Sequence, residues 1–335
     1  MEWIIVTGGA GFIGSHVCER LLSLGYAVCI VDSLNDYYDP RFKEENLSQI
    51  RLTAKALYGN ANFVQFQKVD IRNYLELNDV FIKHKVKAVI HLAACAGVRP
   101  SIKNAHLYAD VNINGTINLL ECMKEHNAHQ LLFASSSSVY GNNPKTPFSE
   151  SDLVDNPISP YATTKKAGEL ICYTYHHLYR MNIACLRFFT VYGPRQRPDL
   201  AIYKFTDLMY KDMQLPFYGD GSMRRDFTYV DDTIDGIIKA LNWVDSKDVR
   251  YDIFNLGESR TISLSEMVQE LERTTGIKPK LNRLPKQEGD VDITYADISK
   301  SKQVLGYNPQ YSFEDGIDRF VCWFIDERLS NENGK

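Results

Sequence analysis

Thr7-Gly8-Gly9-Ala10-Gly11-Phe12-Ile13-Gly14 is the stretch whose reading decides the fold. An apolar run, Trp3 to Thr7, precedes it. An amphipathic helical pattern to about Leu24 follows, and then a second apolar run, Tyr26 to Val31, that ends in Asp32. Strand, glycine turn, helix, strand and acid in this order make a dinucleotide-binding unit. Glycines at 8, 11 and 14 permit a tight turn, close backbone approach to a pyrophosphate, and close packing of helix on strand. The helix start supplies amides, those of Phe12 and Ile13 included, and the positive end of a dipole to the phosphates. Asp32 comes 18 residues after Gly14, where an acid binds ribose hydroxyls and repels a 2'-phosphate, so the spacing predicts NAD and not NADP.

Outward from this unit the alternation continues. Asn62 to Gln67 reads as a third strand, leading to Asp70-Ile71-Arg72. Lys87 to His91 reads as a fourth, opening into Leu92-Ala93-Ala94, whose small side chains let backbone approach a cofactor. Gln130 to Ala134 is the fifth strand, ending in Ser135 to Ser138, and Asn182 to Leu186 the sixth. The expected fold is α/β, a doubly wound parallel Rossmann sheet with ligands at the carboxyl ends of its strands. Asp70 has two open readings, a hydrogen bond to an adenine amino group or the N-cap of a helix over Tyr74 to Lys83. Ser33 to Gly59, helical around Arg41 to Leu57, reads as a surface insertion with a solvated charged face. Asn104 to Glu125 reads as one long helix, with Asn112 buried to hold neighbouring backbone. Beyond Leu200 the alternation weakens into short elements, a smaller α/β lobe interleaved with the sheet. The expected division is residues 1–187 for the dinucleotide and 188–330 mainly for a substrate.

Tyr161-Ala-Thr-Thr-Lys165 carries the chemistry. Four residues apart on a helix, the phenol and the ammonium share one face. A phenol of pKa about 10 is a poor base at neutral pH, and an adjacent ammonium favours its phenolate. Alone, the pattern is one that any amphipathic helix carries. Here it follows Ser136 by 25 residues, and Ser136 sits at the end of a strand behind a glycine fingerprint. Hydroxyl, phenol and ammonium can then converge on a sugar or alcohol hydroxyl.

Composition excludes other classes. With 44% hydrophobic and 24% charged residues the chain is of ordinary globular type, and a net charge of -4 supplies no basic footprint for nucleic acid. No apolar run is long enough for a membrane span. The N-terminus lacks a basic, cleavable leader, and the tail from Leu329 reads as frayed. The seven cysteines are scattered and lack CxxC spacing, so they read as reduced thiols of a cytoplasmic protein, neither a disulfide frame nor a metal site.

The chain resembles the extended short-chain dehydrogenases/reductases, in the nucleotide-sugar epimerase group. The residues that carry the resemblance are the glycine stretch through His16, Asp70-Ile71-Arg72, Leu92-Ala93-Ala94, Ser136 to Gly141, Tyr161 to Lys165, Arg187 to Pro194 and Arg225 to Asp232. The resemblance implies an isomerase with bound, regenerated NAD. In it Ser136 is the catalytic hydroxyl, Tyr161 the base and Lys165 the ribose-binding lysine. It implies a UDP-sugar near Ser136, Ser137, Ser138, Tyr161 and Thr190, with Arg225 and Asp290 on the UDP and Tyr218 near the uracil; Arg99 has open readings, against a phosphate, a carboxylate or solvent. Phe189 to Asp199, Ala94 to Arg99, Asn35 to Tyr38 and Gln287 to Val291 resemble the UDP-glucuronate 4-epimerases in particular. The implied reaction takes UDP-glucuronate to UDP-galacturonate through a transient 4-keto sugar, with Thr190, Arg197 and the serines receiving the C5 carboxylate. Ser137 and Ser138 stand where related decarboxylases carry a Glu, and the Asp-Glu pair of the 4,6-dehydratases is absent. Cys95 and Pro100 depart from the glucuronate pattern. Thr294 stands where galactose epimerases carry a large Tyr, which leaves N-acetylated sugars open. The alternatives are a UDP-glucose or UDP-N-acetylglucosamine epimerase, a UDP-glucuronate decarboxylase, and, more remotely, a non-enzymatic NAD(H)-sensing regulator. The resemblance also implies a homodimer bundle built from the helices 104–125 and 159–179.

Overall fold

The computed structural model describes residues 2–285 and 291–329. Within them lie the strands β1 (Trp3–Thr7), β2 (Ala27–Asp32), β3 (Val64–Lys68), β4 (Val86–His91), β5 (Gln130–Ser136), β6 (Asn182–Phe188), β7 (Thr190–Tyr192), β8 (Gln214–Tyr218), β9 (Arg224–Tyr229), β10 (Tyr251–Leu256), β11 (Thr261–Ser263) and β12 (Lys280–Leu284). Seven form one sheet in the order β3-β2-β1-β4-β5-β6-β10, every pairing parallel. The reason lies in the residues: β1, β2 and β6 are buried along their whole length, as strands covered on both faces must be. Alternate side chains feed two separate cores. Ile4, Val6, Val28 and Ile30 face one, and Trp3, Ile5, Cys29 and Val31 the other. The strand order reverses between β1 and β4, which opens a crevice at their carboxyl ends.

The second half interleaves with this sheet. β10 pairs with β6, while β7, β9 and β11 form a small sheet and β8 pairs with β12. Asp226 fastens these pieces. Buried in β9, its carboxylate accepts from the amides of Glu258 (2.8 Å), Ser259 (3.1 Å) and Ala296 (3.0 Å). Thr294 is buried beside it, and its hydroxyl accepts from the Asp226 amide at 3.2 Å.

The helix Pro160–Tyr179 starts cleanly. The Ser159 hydroxyl accepts from the Ala162 amide at 3.1 Å, and Pro160 occupies the first turn. Two contacts set its height on the sheet. Gly168 meets the Phe133 ring of β5 so closely that a Cβ would be driven into it. Glu169 pairs with Arg187 of β6 through Nε (2.8 Å) and Nη2 (2.9 Å), both side chains buried, and the Ser135 hydroxyl donates to the same carboxylate at 2.6 Å.

Three expectations are refined. The segment after β2 exposes most of its charged residues, as expected, but two of its polar side chains are structural. The side chain of Asn46 donates to the Ala10 carbonyl at 2.8 Å, bracing the glycine turn, and Lys43 donates to Asn35, with Asn46 and Lys43 both buried. The helix over Tyr74–Lys83 is capped by Asn73, which accepts from the Glu76 amide, so Asp70 is not the cap. The long helix runs from Ala105 to Glu125, but through a π turn at Asp110–Asn114 between Ala105–Ala109 and Gly115–Glu125. Such a turn re-aims the side chains beyond it.

Removing one partner of the buried ion pair strands the other. Arg187→Met is expected to lower unfolding free energy by about 3–5 kcal/mol in denaturant titrations, and a joint Glu169→Leu/Arg187→Met replacement to regain most of that loss.

Candidate active site

At the end of β1 the chain turns through Gly8, at φ +71°, where a Cβ would lie 2.8 Å from the Ala93 amide nitrogen. Gly14 faces the Gly8 carbonyl with no room for a side chain. Gly11 differs, because a Cβ there meets only the Gly8 oxygen, at 3.2 Å. The protein therefore leaves a cradle above Gly11, at the N-terminus of the helix Phe12–Ser23, whose first-turn amides lack intrahelical partners. Asp32 closes the far side. It is buried and accepts from the amides of Ala10 (3.2 Å) and Leu34 (3.0 Å), and burial raises its pKa against those two bonds. A dinucleotide fits this set, with its phosphates over Gly11 and the helix start, and its ribose at Asp32.

Asp70 is half-exposed and held by Arg72, which also pairs with Asp110. Ile71 is buried against Gly115, and its carbonyl accepts from the side-chain amide of Asn118 at 3.1 Å. Leu92 and Ala93 continue β4, their amides donating to the Thr7 carbonyl (3.0 Å) and hydroxyl (3.3 Å). A proton-ordered chain runs beneath them. Ala93 donates to Thr7, Thr7 to Nδ1 of His91 (2.7 Å), Nε2 of His91 to Thr116 (3.0 Å), and Thr116 to the Asn112 carbonyl (2.7 Å). Only the neutral Nε2–H tautomer satisfies every link, and burial holds His91 down at about 3. Asn112, buried at the π turn, bonds both the amide (2.8 Å) and the carbonyl (3.0 Å) of Cys95 and the Thr164 hydroxyl (3.0 Å). It thereby ties the loop after β4 to the helix of Tyr161.

At the end of β5, the Ser136 hydroxyl accepts from the amide (3.2 Å) and the hydroxyl (2.9 Å) of Ser138. Lys165 is buried, donates to the Ala134 carbonyl at 2.8 Å, and stands 5.9 Å from the Tyr161 ring centre. Burial brings its ammonium down to about 8. The expectation of a phenol lowered by lysine is reversed in the protein itself. Desolvation raises Tyr161, and what opposes it is the Ser136 hydroxyl and the charge of Arg197. Arg197 is held by Asp199 through Nε and Nη2, both at 2.9 Å, and lies over the ring of Tyr37, 5.3 Å from its centre.

Thr190 begins β7, whose neighbour β9 carries Arg225, donating to the Arg224 carbonyl at 2.9 Å. Arg99 stands over the Tyr218 ring at 5.9 Å, which joins the loop after β4 to the smaller lobe. Asp290 and Gln287 lie outside the described residues. Tyr37, Tyr108 and Asp199 carry no role that their residue type or spacing announces. Tyr108 lies edge-on to Tyr161 at 6.2 Å, its hydroxyl on the Ala96 carbonyl at 2.6 Å, and Tyr37 reaches over Gly97. Only their places inside the resembling motifs mark Tyr37 and Asp199 in the sequence; nothing marks Tyr108.

Residues 5–320 match the family model described as GDP-mannose 4,6 dehydratase. A UDP-glucuronate 4-epimerase of Thermodesulfobacterium geofontis (strain OPF15) is 45% identical over 325 residues, 96% of each chain. The UDP-glucuronic acid 4-epimerase of Bacillus cereus, solved in complex with UDP-glucuronic acid and NAD, is 36% identical with a TM-score of 0.87, covering 97% of this chain and 99% of that one. The UDP-glucose 4-epimerase of Thermus thermophilus, solved in complex with NAD, is 29% identical with a TM-score of 0.85, over 97% and 99%.

The different spaces around the glycines separate their roles. Gly11→Ala is expected to cost the fold about 1 kcal/mol or less but to yield protein purified without NAD, read from the nucleotide released on denaturation, whereas Gly14→Ala loses soluble protein. His91 binds a proton only in the unfolded chain between its ordinary 6.5 and about 3. Its contribution to stability is therefore full above pH 6.5 and falls by up to about 1.4 kcal/mol per pH unit below it. Denaturant titrations stepped through that window should show a slope shallower by one proton for His91→Gln.

Proposed function

The chain belongs to the GDP-mannose 4,6 dehydratase family of extended short-chain dehydrogenases/reductases, and from that membership we propose an isomerase that epimerises UDP-glucuronate at C4 to UDP-galacturonate. NAD, when bound, accepts a hydride from C4 and returns it. The rest is the work of this chain's residues. Tyr161 takes the proton of the 4-hydroxyl and gives it back, which requires the phenolate to form in a desolvated site. Arg197 and the Lys165 ammonium offset that cost, and the oxidised nicotinamide adds a third positive charge. Ser136, fixed by Ser138, hydrogen-bonds the reacting oxygen. Gly8, Gly11, Phe12, Ile13, Gly14, Asp32, Asp70, Ile71, Leu92, Ala93 and Ala94 form the cofactor site, and Arg99, Tyr218 and Arg225 meet the UDP.

The observation that carries the glucuronate reading is Arg197, a guanidinium whose charge reaches Tyr161. A C5 carboxylate beside a 4-keto group makes a β-keto acid, which loses CO2 when its carboxyl bond aligns with the carbonyl. Arg197, Thr190, Ser137 and Ser138 hold the carboxylate away from that alignment. No Glu stands beside Ser136 to serve decarboxylation, and the Asp-Glu pair of a dehydratase is missing. Thr294 is buried, and its hydroxyl accepts from the Asp226 amide. The product would supply acidic sugar to polysaccharide assembly in the cytoplasm. No described helix is long and apolar enough to cross a membrane. We place a homodimer contact on Leu107, Leu170, Tyr173, Leu178 and Tyr179, exposed on the helices flanking the site.

Incubated with UDP-glucuronate and followed by NMR, the protein is expected to form UDP-galacturonate without a pentose product. UDP-xylose as the main product would sink the reading. Tyr161→Phe should abolish turnover and retain UDP-sugar binding, and full activity in that variant refutes the assigned base.

A further inference from the structure

We propose that Asp199 sets how tightly Arg197 grips the substrate carboxylate, by occupying the same guanidinium as a resident carboxylate. The inference rests on the glucuronate reading above and adds a positioning residue to it. Asp199 takes the whole side edge of Arg197, with Nε on Oδ1 and Nη2 on Oδ2, both at 2.9 Å. The guanidinium face is covered by the Tyr37 ring at 5.3 Å. Nη1 has no hydrogen bond to any described residue, so what remains is the end edge, Nη1 with the second Nη2 hydrogen. The side chain of Arg197 is 20% exposed and that of Asp199 41%. The acid therefore stands on the solvent side of the pair and the cation on the inner side, where its charge is felt by Tyr37, Tyr38, Tyr108 and Tyr161.

A sugar carboxylate that docks on the end edge must share one positive charge with Asp199. The guanidinium attracts it and the like charge of Asp199 repels it, so the net grip is weaker than a lone guanidinium would give. Without Asp199 the empty site would hold a desolvated, unpaired cation, and an arriving carboxylate would relieve that cost in full. Epimerisation needs the weaker grip. The 4-keto sugar has to present its other face to the same tyrosine, and the C5 carboxylate travels with the ring. A contact too strong to release stabilises the ground state and slows the turn.

The test separates binding from turnover, in protein that retains its cofactor. Binding of UDP-glucuronate and UDP-glucose is measured by calorimetry in a Tyr161→Phe background, so that no sugar is converted, and kcat is measured with Tyr161 intact. Asp199→Ala is expected to bind UDP-glucuronate about tenfold more tightly, the worth of roughly one charge-assisted hydrogen bond. It should leave UDP-glucose binding unchanged and lower kcat for UDP-glucuronate. Asp199→Asn keeps an acceptor for the guanidinium without the charge and should fall between. Unchanged or weaker binding of UDP-glucuronate in Asp199→Ala, or an equal shift for both sugars, overturns the proposal. If the unsubstituted protein neither prefers UDP-glucuronate nor forms UDP-galacturonate, the glucuronate reading itself fails and this inference falls with it.

Discussion

The buried pair of Glu169 and Arg187 fixes what the rest of the site requires. Tyr161, Lys165 and Glu169 recur at four-residue spacing, so they lie along one face of one helix. Glu169 is locked to β6, and Ser135, the residue before Ser136, donates to the same carboxylate. This interaction thus helps to set the height of the phenol against the serine at the end of β5. Buried ion pairs are weak sources of stability, since desolvation consumes most of their attraction. What this one supplies is register. A slide of the helix by one turn, about 5.4 Å, would break the pair and move Tyr161 off Ser136 together. Gly168 lets the helix lie close against the Phe133 ring.

The fold raises the phenol that the proposed reaction must ionise. Dry surroundings keep a phenol neutral, and Lys165, itself brought down to about 8, is shared with the Ala134 carbonyl. Arg197 is the further cation, and it arrives from the other half of the chain. In the proposed reaction the base becomes effective when both halves and the cofactor's positive ring surround it. The proposed reaction thereby couples the ionisation of Tyr161 to the filling of its site, because the Arg197 guanidinium and the cofactor ring bring positive charge there.

Much of this was legible in the sequence, and for identifiable reasons. Glycines at 8, 11 and 14 with an acid at 32 encode backbone requirements, which are local. The buried strands β1 and β2 betray themselves by their apolar runs. Residues whose meaning lies in tertiary partners did not show. Lys43 and Asn46 look like surface charge and polarity on a helix, yet one holds the loop after β2 and the other the glycine turn. Thr294 gives no sign in the sequence that its hydroxyl accepts from the Asp226 amide. The π turn at Asp110–Asn114 leaves no periodicity signal, being one extra residue in a helix, and yet it aims Asn112 at Cys95. Tyr108, which the sequence does not mark, is buried edge-on to the Tyr161 ring.

The pairing of β10 with β6 has a consequence for synthesis. During translation the first six strands of the sheet leave the ribosome well before residues 251–256, and β6, buried along its entire length in the finished fold, is then an open edge. An unpaired apolar edge is a template for the wrong partner. Roughly a quarter-minute or less of elongation, at about 5–20 residues per second, must pass with that edge covered by something other than its final neighbour. The strand that completes the sheet is thus also the one that ends the nascent chain's exposure to aggregation. A truncation that spares every residue of the glycine turn, Ser136, Tyr161 and Lys165 but stops short of Tyr251 would leave that exposure permanent.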